Sequence, residues 1–333
     1  MKTLTIGSND EGQRLDKFLQ KITILPESLM HRYIRKKRIK LNHKRCEHKV
    51  ILQKDDILEL FIGDEFFEQG EKTNFLRTTS TPDVFYEDEN ILIANKPPGQ
   101  LAHENEDEKI NTLVNSIKLY LFRKGEYDPA QENSFAPALC HMIDRNTGGL
   151  VIAAKNAQAL RIINQKIKKR EVKKTYLCLI HGVPQKKEDL LTAYLQKDEN
   201  NNLVEISKFS KPGYRIIKTK YKILETNGAV SLLEINLITG RTHQIRAHLA
   251  YIGYPLIGDN KYGNAEKNRA WGFKFQALCA SGLRFEFNSS AGNLDYLQNK
   301  EFKLKKIWFT DKKTKKQNGL KFVSPGVLAL NQM

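Results

Sequence analysis

Strand-like runs, crowded together with few helical stretches between them, constrain this chain more than any other feature. From Asp83 onward they recur as Ile91-Leu92-Ile93-Ala94, Leu150-Val151-Ile152-Ala153-Ala154, Thr175-Tyr176-Leu177-Cys178-Leu179-Ile180 and Val230-Ser231-Leu232-Leu233-Glu234-Ile235. Helical patterning is confined to roughly 109–123, 156–169 and 242–251. Regular alternation of strand and helix would argue for a doubly wound α/β fold. Bunched strands argue instead for α+β, with a mixed, mainly antiparallel sheet and flanking helices.

The segment up to about Asp64 reads as a separate, small α/β unit. Asp10 is placed to cap a helix carrying Leu15, Phe18 and Leu19 on one face, and a second helix runs from Glu27 through Leu29, Tyr33 and Ile34. Two strands follow, Ile39-Lys40-Leu41 and Ile57 to Phe61, with a turn at Asn42-His43-Lys44. The expected organisation is a unit over 1–64, a linker over 65–82, a larger domain over 83–308 and a basic extension over 309–333 that includes Lys312-Lys313-Thr314-Lys315-Lys316.

Charge narrows the partners. Fifty-five Lys and Arg against 38 Asp and Glu give a formal +17, which draws in polyanions, nucleic acid before membrane. Between Ser28 and Lys49 nine residues are basic, among them Arg32, Arg35, Lys36, Lys37, Arg38 and Lys40, and only Glu47 is acidic. A solvated helix mixes its signs, so this imbalance suggests a phosphate-binding face. Residues 1–8 turn polar before an apolar signal core could form, and no apolar stretch nears the ~20 residues of a membrane span. Cys46, Cys140, Cys178 and Cys279 are far apart, as buried thiols of a reducing compartment would be. The expected location is cytoplasmic.

Four segments put polar residues where strands should end: Asn95-Lys96-Pro97-Pro98-Gly99, His141 to Leu150, Lys174-Thr175-Tyr176, and Thr239 to Leu249. Asp144 follows an apolar run and precedes Gly148-Gly149, which feed a strand buried on both faces; a carboxylate there is held rigidly, as a nucleophile or as a mere Asx-turn. In the last segment Thr242 can cap a helix, and Arg246, one turn from His243, can fork onto a carboxylate or phosphate. His243 and His248 diverge by about 140° on a helix, unlike the spacing of four used by zinc proteases, so no metal is expected. Phosphate-loop, nucleophile-elbow and dinucleotide-binding motifs are absent, which leaves a carboxylate, an Arg and a Tyr to carry the chemistry.

These segments, in this order, closely resemble the RluA family of RNA pseudouridine synthases. The family carries N-K-P-x-G, H-R-L-D-x-x-T-S/T-G-L, K-x-Y and T-G-R-T-H-Q-I-R-x-H segments. It also carries a G-x-P-[IL]-x-G-D-x-x-Y-G run, matched here by Gly253 to Gly263. The resemblance spans about Asp83 to Phe287. Gly12 to Leu19 and Arg35 to Asn42 are similar to an S-four-type RNA-binding domain, and the combination looks like the RluC subgroup, which acts on large-subunit ribosomal RNA.

The resemblance implies isomerisation of uridine in 23S rRNA by a monomer, without NAD, metal or ATP. Asp144 would be the nucleophile, with base or ribose left open as its target, and Arg246 its cationic partner. Tyr176 would stack on the flipped base. His141, Met142, Arg145, Thr147, Lys96, Arg241, His243 and Gln244 would bind substrate, while Arg14 would join the basic N-terminal residues and the Lys166–Lys174 cluster on RNA. The chain departs from the family at Gly148 and at Met142, where an Arg is usual. Met142 would either wedge between bases or pack in the core. Two alternatives stay open: a catalytically silent RNA-binding protein of ribosome assembly, and a hydrolase pairing Asp144 with Asp259.

Overall fold

The computed structural model describes residues 1–67, 73–198 and 203–310; the expected run Lys312 to Lys316 and the middle of the 65–82 linker lie outside the described residues. At the N-terminus, β1 (Lys2–Thr5), α1 (Leu15–Ile22), α2 (Glu27–Arg35), β2 (Ile39–Leu41), β3 (Lys44–Arg45) and β4 (Ile57–Leu60) form a sheet of order β1-β4-β2-β3. Leu15, Phe18, Leu19, Met30, Ile34, Leu58 and Leu60 give it a core of its own. Asn42 and His43 both adopt positive φ, at 51° and 63°, which is what a tight β2–β3 hairpin demands. Asp10 does not cap α1. Its buried carboxylate accepts instead from Asn133 Nδ2 at 2.8 Å and Ser134 Oγ at 2.6 Å, tying this unit to the rest of the chain.

The larger sheet begins with β5 (Val84–Glu87), β6 (Ile91–Lys96), α3 (Leu113–Arg123), β7 (Ala138–Leu139), β8 (Gly148–Ala154), α4 (Ala157–Lys168) and β9 (Val172–His181). It continues through β10 (Glu188–Asp198), β11 (Leu203–Ser207), β12 (Arg215–Thr226) and β13 (Val230–Leu237). Then come α5 (Gln244–Tyr251), α6 (Ala265–Arg269), β14 (Leu278–Phe285) and β15 (Glu301–Lys303). The strand order is β11-β10-β12-β13-β9-β14-β8-β6-β5, with β15 on β14 and β7 on β8. All described pairings are antiparallel except β8 with β14, where Gly148 and Gly149 meet Cys279 and Ala280. The architecture is α+β on a mixed, mainly antiparallel sheet, as the crowded strands suggested.

Alternation along the central strands separates two cores. Ile91, Ile93, Leu150 and Ile152 face α4, whereas Leu92, Ala94, Val151, Ala153 and Tyr176 face α3 and α5. β8 is buried along its whole length, so its sequence reads as an unbroken apolar run. β10 and β12 bury one face only and interleave Lys and Thr, which is why they left no comparable run.

Candidate active site

The loop between β7 and β8 carries Asp144, and Lys96 holds that loop in place. The buried ammonium of Lys96 donates to the carbonyls of Pro97 at 3.0 Å, Gln100 at 2.8 Å and Arg145 at 2.8 Å. Burial pulls its pKa down to about 7, opposed by the charge of Asp144. With its donors spent on backbone, Lys96 does not line the pocket, contrary to the expectation of substrate contact. Arg145 likewise turns away, its Nε donating to Gly99 O at 3.1 Å. His141 Nε2 accepts the Ile152 N–H at 3.2 Å, and full burial holds the imidazole neutral, well below its ordinary pKa. Thr147 accepts from Gln276 Nε2 at 3.3 Å. These residues fix the backbone around Asp144.

The opposite wall is the turn into α5. His243, not Thr242, occupies the capping position, in the left-handed conformation with φ 54° and with no side-chain capping bond. The turn is braced by Gln244. Its Oε1 accepts from Thr239 Oγ1 at 3.0 Å and Arg241 N–H at 3.2 Å, and its Nε2 reaches Thr219 Oγ1 at 3.0 Å. Gln244 is therefore a buried brace as well as part of the pocket wall.

Arg246 joins the two walls. Its Nη1 donates to Asp144 Oδ2 at 3.0 Å, while Nε and Nη2 fork onto Asp259 at 2.7 and 3.0 Å. The fork thus falls on Asp259 rather than on Asp144. Asp259 also accepts the N–H groups of Lys261 and Tyr262 at 3.0 and 3.2 Å. So engaged and buried, it is no second acid of a hydrolytic pair. Asp144 Oδ1 accepts no hydrogen bond among the described residues, and the side chain is 24% exposed.

His243 places Nε2 3.9 Å from Asp144 Oδ2, and its Nδ1 lies 2.8 Å from Tyr262 Oη. Tyr262 Oη also accepts the Val204 N–H at 3.0 Å, which ties the His243 ring to β11. Burial lowers the pKa of His243, against the pull of Asp144.

Between these walls lies a pocket of about 430 Å³, lined by Ile143, Tyr176, Leu237, Ile245 and Leu278 and by the polar groups of Asp144, Lys174, Arg241 and Arg246. Burial, then the charge of Asp144, raises the pKa of the Tyr176 phenol, which disfavours a role as base. Lys174 is drawn down to about 8 by burial and by Arg170. Met142 sits on the rim and is 67% exposed, so it does not pack in the core. A larger cleft of about 590 Å³ is lined by Glu87, Asp88, Glu89, Glu126, Lys124 and Lys155, but Lys124 and Lys155 pair with Glu87 and Glu126.

The basic residues divide in two. Arg32, Arg35, Lys36, Lys37 and Arg38 are exposed, and Lys40 is half-buried with its ammonium 5.1 Å from the Phe61 ring centroid. Arg14 is held by Asp16, with Nε to Oδ1 at 3.1 Å. Lys166 is buried on Glu171 at 2.8 Å and so drops out of the expected RNA-facing cluster with Lys174. Asp259, weighed only as a second acid, and Tyr262 and Gln276, which the sequence reading missed, all brace the site. The first two sit in the matched Gly253–Gly263 run, where spacing alone does not say which side chain turns inward.

Residues 90–251 match the RNA pseudouridylate synthase family model. An uncharacterized RNA pseudouridine synthase of Mycoplasma capricolum is 32% identical over 310 residues, covering 90% of this chain and 96% of that protein. The ribosomal large subunit pseudouridine synthase C of Vibrio parahaemolyticus is 28% identical, covering 91% and 94%. Human RNA pseudouridylate synthase domain containing 4 shares the fold, with a TM-score of 0.55 at 18% identity over 72% of this chain and 94% of that one. With such kinship along nearly its whole length, the chain belongs to the RluA family of RNA pseudouridine synthases.

Proposed function

We propose that this enzyme isomerises specific uridines of large-subunit (23S) ribosomal RNA, with Asp144 as nucleophile and no cofactor. The observation that carries the reading is the Asp144 carboxylate at the pocket wall, one oxygen held by Arg246 and the other unengaged among the described residues. The substrate assignment rests on relatives named for the large ribosomal subunit. In the reaction the N1–C1′ bond breaks, uracil turns, and a C5–C1′ bond forms as C5 loses a proton and N1 gains one. No electrons are exchanged overall. Arg246 orients the carboxylate, and Tyr176 offers a face on which the extruded base stacks. Residues 1–64 act as an S-four-type RNA-binding domain through Arg32, Arg35, Lys36, Lys37 and Arg38, and residues 83–308 as the catalytic domain. The enzyme works as a cytoplasmic monomer.

The test is Asp144→Asn, assayed by nucleoside chromatography of digested RNA. The variant converts no uridine, while its RNA affinity stays within severalfold of the parent. Full-rate conversion would remove Asp144 from the chemistry.

A further inference from the structure

Between β11 and β12 the chain turns through residues 208–214 and presents Phe209 to solvent with 71% of its surface exposed. Single exposed apolar side chains are ordinary on protein surfaces. The backbone that carries this one is held in place. The half-turn is clasped by the buried Ser207, whose Oγ accepts the Phe209 N–H at 3.2 Å and donates to the Phe209 carbonyl at 2.8 Å. Gly213, at φ 82°, and a bond from Tyr214 N–H to Lys211 O at 3.1 Å close the turn. The aromatic rings are interleaved with cations. Lys208 Nζ lies 5.8 Å from the Phe209 centroid and Lys211 Nζ 5.2 Å from that of Tyr214, with Arg215 next in sequence. Residues 208–215 contain no acid; Glu205, on β11, reaches Lys211 at 3.7 Å.

Both roots of the loop are fastened to the pocket wall. On β11, Val204 N–H binds Tyr262 Oη, which in turn holds His243. On β12, Lys218 N–H binds Thr239 Oγ1 at 2.8 Å, and Lys218 O accepts from Gln244 Nε2 at 3.2 Å. Arg215 is three residues back along that strand, about 10 Å away, so the loop stands beside the Thr239–His243 turn.

We propose that this loop is a stacking clamp for an unpaired nucleotide adjoining the target uridine. Phe209 takes the base face, and Lys208, Lys211 and Arg215 take the flanking phosphates. The proposal rests on the pocket being the uridine site. Every base has a π face, so an aromatic side chain carried among cations on a fixed backbone grips a single strand whatever its sequence. The clamp lies outside the reacting centre and contributes to binding, not to the chemical step.

The experiment uses the full-length protein and an RNA hairpin that the parent converts. Phe209→Ala raises KM about tenfold, the order expected for one lost base–aromatic stack, and leaves kcat unchanged; Phe209→Trp retains the parental KM. Abasic substitution at each position flanking the target identifies the stacked nucleotide. There the parent binds as weakly as Phe209→Ala, and the variant loses nothing further. Lys208→Ala with Lys211→Ala flattens the salt dependence of affinity by a slope of about 1–2. An unchanged KM in Phe209→Ala, beside an active parent, overturns the clamp and leaves the pocket reading intact. A loss that persists equally on every abasic RNA overturns it too. A parent that converts no RNA overturns the pocket reading, and the clamp with it.

Discussion

Arg246 divides its donors between two carboxylates, and that division makes a distinction testable. A Lys at 246 keeps the charge but has no planar fork, so it cannot hold Asp259 and Asp144 at once. Arg246→Lys lowers kcat by about 10²-fold, the scale of a misplacement near 1 Å, with melting temperature and RNA affinity little changed. An unchanged kcat would show that Asp144 is oriented by other means. Met142, on the rim and solvent-exposed, offers a different contrast. If it wedges between bases, Met142→Ala slows conversion of a structured RNA about tenfold, because unstacking costs a few kcal/mol, and barely affects an unstructured strand. Equal slowing on both RNAs would deny the wedge. Asp144, Tyr176 and Arg246 were legible in the sequence because each lies in a dense motif. Lys96 and Lys166 were misread for a physical reason: composition reports a charge but not whether the ammonium is turned inward onto carbonyls or a carboxylate.

At the scale of elements, the parallel pairing of β8 and β14 decides the geometry around Asp144. Gly149 there adopts φ 116°, and a Cβ would overlap the Ala280 carbonyl. Gly149→Ala is thus both strained and crowded. It costs about 3 kcal/mol and lowers the melting temperature by roughly 5–10 °C, measured by calorimetry. A parental melting temperature would mean that the two strands separate there without penalty. Strands buried on both faces were legible as apolar runs, and helices α1, α2 and α4 by their periodicity. The start of α5 was not, since a left-handed His243 in place of a Thr242 cap leaves no local signature. Nor was the use of Asp10, whose partners are 123 and 124 residues away.

For the whole molecule, the +17 charge is concentrated enough to be removed piecemeal. Arg35→Gln, Lys36→Gln and Lys37→Gln together, in the full chain, flatten the dependence of RNA affinity on salt by a slope of roughly 2–3. Turnover at saturating RNA stays parental. An unaltered slope would assign these exposed residues to something other than phosphate. Charge and strand density both change near Asp64, which is where the expected division of the chain was drawn.

The position of β14 also sets an order of events. It lies between β8 and β9, so the arm bearing Asp144 and the arm bearing Tyr176 and Arg246 are sheet neighbours only through a strand that ends at Phe285. On the ribosome, a growing chain shorter than this lacks the strand that joins the two arms into one sheet. Such late, long-range closure is slow. A nascent polypeptide of this enzyme therefore gains its activity only once β14 has been made and has paired with both arms.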